Sequence, residues 1–107
     1  MKDDFFKKLA EVKAFRAESQ QNGGVPLLRL VEVAQQDTDQ ALIVRQFLLG
    51  CYNGSNRFDL TDFRRLDLNL FQDCLKVLAM DYGCFKEIHE YIENGSKLFQ
   101  SWANGEH

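Results

Sequence analysis

Apolar residues recur along this chain with the 3.6-residue period of an α-helix, and nowhere with the sustained two-residue alternation of a strand. Phe5, Leu9 and Val12 stand at i, i+4 and i+7, with Phe6 and Phe15 beside them and Lys, Glu and Arg between. That pattern predicts an amphipathic helix over residues 3–20. Gln20-Gln21-Asn22-Gly23-Gly24 is polar and glycine-rich, which predicts a hinge. Pro26 suits the first turn of a second helix, where its missing N–H costs nothing, and Leu27, Leu30, Val31 and Ala34 form that helix's stripe. Residues 1–22 are thus expected to form an amphipathic arm and residues 25–103 a helical core domain.

Within 39–52 the apolar residues run almost all round from Ala41 onward, with only the polar Arg45 and Gln46 interrupting. A helix without a polar face is packed on several sides, so this one is expected at the centre. Its start has two candidate caps, an Asp37/Gln40 capping box or Thr38. Asp59 can cap a short helical turn, Asp67 the next helix, and Gly83 suits a left-handed stop. The helix over 68–82 places Phe71, Cys74, Leu75, Leu78 and Tyr82 on one face, with Leu70 and Val77 on its flank. Helix 85–93 carries Phe85, Ile88 and Ile92, and Ser96 caps a last short helix with Leu98, Phe99 and Trp102. The fold expected is all-α, five or six helices around a central buried helix.

Composition narrows the classes. With 107 residues, 45% of them hydrophobic, the chain suits one core and is not a disordered tail. No apolar run approaches the ~20 residues of a membrane span. The start, Met1-Lys2-Asp3-Asp4-Phe5-Phe6, alternates charge and aromatic residues, unlike a signal or transit peptide. Lys and Arg number 13 against 16 Asp and Glu, a net charge of −3, which disfavours phosphate neutralisation and hence nucleic-acid binding. The three cysteines, Cys51, Cys74 and Cys84, make no CxxC pair, which fits a reducing cytoplasm.

Candidate chemistry is thin. His89-Glu90-Tyr91-Ile92-Glu93 has Glu93 where the zinc-protease pattern needs a second histidine, and His107 is terminal. Cys84 and His89 are spaced so that one helix face cannot present both, which weakens a thiol–imidazole pair. Asp59, Asp62 and Asp67 lack the glycine and distal glutamate of a calcium loop and read as caps. Gly23-Gly24 and Gly54 stand without a phosphate-loop lysine. No catalytic residue, metal or cofactor is expected, and neither a nucleic acid nor a membrane as partner.

The aromatic residues are the stronger lead. Phe5, Phe6, Phe15, Phe99 and Trp102 lie near the chain ends and are the candidate interaction surface, for a protein partner or a second copy in a homodimer. The alternative is a small-molecule pocket between helices 39–52 and 68–82, lined by Phe47, Tyr52, Phe71 and Cys74. The expected function is accordingly that of a non-enzymatic helical interaction protein.

Three runs carry a family resemblance. They are Leu27-Leu28-Arg29-Leu30 with Ala34-Gln35-Gln36-Asp37-Thr38, then Phe47-Leu48-Leu49 with Tyr52-Asn53, and above all Phe58-Asp59-Leu60-Thr61-Asp62-Phe63 with Leu66-Asp67. Through them, Leu27 to Trp102 resembles an uncharacterised bacterial helical family, a domain of unknown function. Its members are short cytosolic proteins associated with phages, plasmids and other mobile elements. Members often have Trp where this chain has Cys51-Tyr52. The resemblance implies an α-helical domain and a mobile-element setting, and it implies no activity.

Overall fold

Thr38 begins the helix around which the molecule is built. Its hydroxyl accepts a hydrogen bond from the Ala41 N–H at 3.0 Å, satisfying one of the donors that every helix start leaves free. Gln40 is not the partner of Asp37 in a capping box. It reaches instead to Asp67, donating from Nε2 to Oδ2 at 3.1 Å and accepting from the Asp67 N–H at 2.8 Å. The structure, a computed structural model, describes residues 2–83 and 85–105. Among them are four α-helices, α1 (Lys2–Ala34), α2 (Asp39–Tyr52), α3 (Leu68–Gly83) and α4 (Gly95–Ala103), and two 3₁₀ turns, Leu60–Arg65 and Ile88–Tyr91. No described residue is in a strand, and the fold is all-α.

The central position of α2 follows from its composition. Ala41, Ile43, Val44, Phe47, Leu48 and Leu49 are buried, and the helix touches every other element. Arg45, the charge inside this apolar helix, is itself buried. Its Nη1 donates to the carbonyls of Ala34 at 2.7 Å and Gln36 at 3.1 Å. These carbonyls lie at the end of α1, where acceptors lack intrahelical partners and the helix dipole is negative.

The largest departure from the sequence pattern is α1. It is one helix through Asn22, Gly23, Gly24 and Pro26, with neither the hinge nor the fresh start expected there. Gly23 is buried against α3, where an added Cβ would meet Met80 Cβ and Sδ at 2.7 Å. The glycine is therefore a place of close helix approach, and that packing offsets its poor helix propensity and the hydrogen bond that Pro26 cannot make. At Gly24 an added Cβ meets nothing within 4 Å. Gly23→Ala is expected to lower stability by about 1–2 kcal/mol, while Gly24→Ala raises it by up to ~1 kcal/mol. Urea titration of both variants checks the pair. Equal effects would mean that Gly23 is not a contact point.

Helix α3 runs antiparallel along α1. Arg29 and Asp73 form a two-pronged ion pair, Nε to Oδ2 at 2.9 Å and Nη2 to Oδ1 at 2.8 Å, Met80 meets Gly23, and Gly83 faces Arg16. Its buried positions are Asp73, Cys74, Val77 and Met80. Leu75, Leu78 and Tyr82, expected on the same face as Cys74, are exposed. The helix is apolar on two sides, so periodicity alone does not reveal which side meets the core.

Residues 85–93 do not form a helix. Only the 3₁₀ turn Ile88–Tyr91 is present, held to α1 by the Tyr91 hydroxyl donating to Gln20 Oε1 at 2.6 Å. Asn94, in the left-handed region at φ 57°, starts α4 in place of Ser96. Phe99 and Trp102 then join the core beside Leu27, Leu48, Val77 and Ile88.

Candidate interaction surface

On α1, Ser19, Gly23, Leu27, Leu30 and Ala34 are all buried, and Gly23 packs on Met80 of α3. Their steps of four and three are those of a helix seam against a neighbouring helix. The same steps continue backward through Arg16, Val12, Leu9 and Phe5. However, α3 ends at Gly83, level with Arg16, and residues 3–11 are all exposed. Phe5 is 64% exposed, Phe6 61% and Leu9 41%. The seam outruns its partner.

A second stripe runs along the outer side of α3. Leu68, Leu75, Leu78 and Tyr82 are exposed and Phe71 is half-buried, in steps of three and four. This surface is invisible to a sequence reading that puts all these residues in one core face. Tyr82 meets Phe15 edge-on, ring centres 5.8 Å apart, so the α3 stripe joins the apolar side of the arm. The junction is a shallow groove of about 380 Å³ lined by Glu11, Val12, Phe15 and Tyr82. Phe85, 77% exposed, stands on the opposite flank with Arg16, Ala17, Gln20 and Gly83.

The structure thus divides the five residues singled out in the sequence. Phe5, Phe6 and Phe15 are on the surface, whereas Phe99 is fully buried and Trp102 nearly so. The four pocket residues are likewise separated. Phe47 lines a groove of about 390 Å³ between the end of α2, the 53–59 loop and α3, together with Cys51, Arg57, Phe58, Leu78 and Asp81. Tyr52 packs on His89 and Phe99. Phe71 lies against Phe63, and Cys74 is fully buried.

The groups with candidate chemistry have separate structural settings. Burial pushes the thiols of Cys51 and Cys74 up to about 12, with lesser contributions from Asp81 and Asp73 respectively. Thiols held protonated in this way are poor nucleophiles. Asp59 accepts from the Thr61 hydroxyl at 2.7 Å and from its N–H at 2.9 Å, and these bonds hold its carboxyl below the usual range. Asp62 lies 3.5 Å from Arg65, and Asp67 is engaged by Gln40. Burial, and then the charge of Glu87, raise Asp81. His89 presents a buried Nδ1 without a hydrogen-bond partner, edge-on to Tyr52. Among the described residues, no three His, Cys, Asp or Glu side chains are grouped so as to hold a metal ion. Among the described residues, no helix is long and apolar enough to cross a membrane. Cys84 and His107 lie outside the described residues.

No curated protein and no solved structure matches the chain. A family model does match, over residues 26–106, the stretch that holds α2, α3 and α4 together with the buried end of α1 and excludes the exposed arm. The chain therefore belongs to a family of unknown function, DUF7673.

Proposed function

We propose that this chain is a non-enzymatic helical interaction protein that docks its apolar seam onto another protein surface, as an accessory factor of a bacterial mobile element. The observation that carries this reading is the seam itself. It runs from Phe5 and Leu9 to Val12, where Phe15 and Tyr82 flank it, and Phe5, Leu9, Phe15 and Tyr82 are exposed. Exposed apolar surface that gathers in this way marks protein contact sites. The elevated Cys51 and Cys74 thiols and the separate engagements of Asp59, Asp62 and Asp67 favour a binding role over catalysis. An acidic charge balance favours a protein partner over a nucleic acid. The unpaired thiols of Cys51 and Cys74 fit a cytoplasmic setting. The mobile-element setting rests on the resemblance carried by Leu27 to Trp102.

A photo-reactive phenylalanine analogue placed at Phe6 or at Phe85 tests the reading in the native host. Covalent adducts to a protein are expected from Phe6. If neither position yields a protein adduct, the docking reading fails. The groove beside Phe47 supports a second reading, a small-molecule site. Its volume is that of ligand pockets, and Arg57 and Asp81 supply opposite charges at its wall. A fragment that binds there and is lost in Phe58→Ala would favour it.

A further inference from the structure

We propose that the exposed part of α1 pairs antiparallel with the same segment of a second copy of this chain, seating Phe5 of one copy in the groove lined by Val12, Phe15 and Tyr82 of the other. The proposal rests on the seam being a docking surface, and it names the occupant.

The first argument is the phase of the seam. From Arg16 to Gly23 the steps on α1 meet a helix running the opposite way, as the contacts of Arg16 with Gly83 and Gly23 with Met80 fix. That helix stops at Gly83, and the same steps continue through Val12, Leu9 and Phe5. What completes them is another helix on the line of α3, also antiparallel to α1 and with matching spacing. The arm of a second copy has that spacing and that length. The arrangement is isologous, each arm serving as the continuation of the other copy's α3.

The second argument is charge. In the antiparallel register that sets Phe5 level with Phe15, centred on Ala10, Asp4 of one copy lies level with Arg16 of the other, and Lys8 lies within one residue of Glu11. Residues of like flank meet across such a pair, and Lys8 and Glu11 share one flank of the helix. In a parallel pair Asp3-Asp4 would lie level with Asp3-Asp4, and Lys7-Lys8 with Lys7-Lys8. Like charges so placed oppose pairing.

The third argument is area. At roughly 200 Å² per aromatic side chain, the exposed fractions of Phe5, Phe15 and Tyr82, with Leu9 and Val12, offer on the order of 400 Å² from each copy. Two copies then bury about 800 Å², the size of a weak, transient interface. The pair is accordingly concentration-dependent.

Sedimentation equilibrium of the full chain from micromolar to submillimolar concentration tests this. The mass is expected to rise from 12.4 kDa toward twice that value. Leu9→Asp, at an exposed position, keeps the helical circular dichroism of the parent and stays monomeric throughout. Lys8→Glu and Glu11→Lys each weaken the dimer about tenfold, and the double variant recovers most of that loss because the pair is restored with its signs exchanged. A chain monomeric at every concentration overturns the proposal. So does a dimer indifferent to Leu9→Asp, or a double variant no better than the singles. If the chain is monomeric while Phe6 still crosslinks to a different protein, self-pairing falls and the docking reading stands. If there is neither dimer nor adduct, both fall.

Discussion

Gly95→Ala is expected to destabilise the protein by about 3 kcal/mol or more, the upper end of what overpacking costs. The Cβ it adds would land on the carbonyl oxygen of His89, with the carbonyl carbon 2.9 Å away and Ile92 Cβ 3.1 Å away. A flexible side chain could swing aside, but a backbone carbonyl cannot. Both sides of this contact are fixed. The Gly95 N–H donates to Ile92 O at 2.9 Å, and Asn94 turns the chain through the left-handed region. The 3₁₀ turn and α4 therefore meet at a corner with no room for one methyl group. Stabilities of single domains lie near 5–15 kcal/mol, so this change removes a large share. The check is the denaturant midpoint, with Gly54→Ala as control, since a Cβ there meets nothing within 4 Å. A Gly95 variant that melts like the parent would mean that the corner is looser than described.

Phe99→Ala is expected to cost about 3–5 kcal/mol, as for large aromatic truncations in a core. Phe99 is the largest fully buried side chain, and it joins α4 to two other elements. Its ring lies 5.5 Å from Tyr52 on α2, 4.9 Å from Trp102 and 6.3 Å from His89. Truncation empties the centre of this aromatic group. Collapse cannot refill the space cheaply, because the Gly95 corner anchors the start of α4. Thermal unfolding should show a lower midpoint with loss of near-ultraviolet ellipticity from Trp102. A cost below about 1 kcal/mol would imply that α4 contributes little to the fold.

Much of this was legible locally. The all-helical class, the central place of 39–52 and the Thr38 cap follow from periodicity and from groups within a turn of one another. The exposure of Phe5, Phe6 and Phe15 follows from an amphipathic pattern with no obvious neighbour. What was not legible depends on distant partners. Gly23-Gly24-Val25-Pro26 is a poor helix by local propensity, and it is helical because Met80 packs on Gly23. Helix α3 is apolar on two sides, so only the tertiary fit decides that Cys74, Val77 and Met80 go inward. Ile88 and Ile92 suggest a helical turn pattern, but the Gly95 corner limits it to one 3₁₀ turn. Position along the chain groups Phe99 and Trp102 with the arm aromatics, and it does not distinguish a docked helix from a free one.

The continuity of α1 has a consequence for aim. A joint at Gly23-Gly24 would let the arm sweep a cone, and its partner could be met from any side. An unbroken helix has no such freedom. Each residue between the body and the tip turns the tip face by about 100° and advances it by about 1.5 Å. One residue gained or lost between Arg16 and Leu9 would leave every apolar side chain in place chemically and point them all away from the line of α3. The bearing of the proposed docking face is thus encoded in the residue count of the arm, and substitutions along it act only on how strongly that bearing is used.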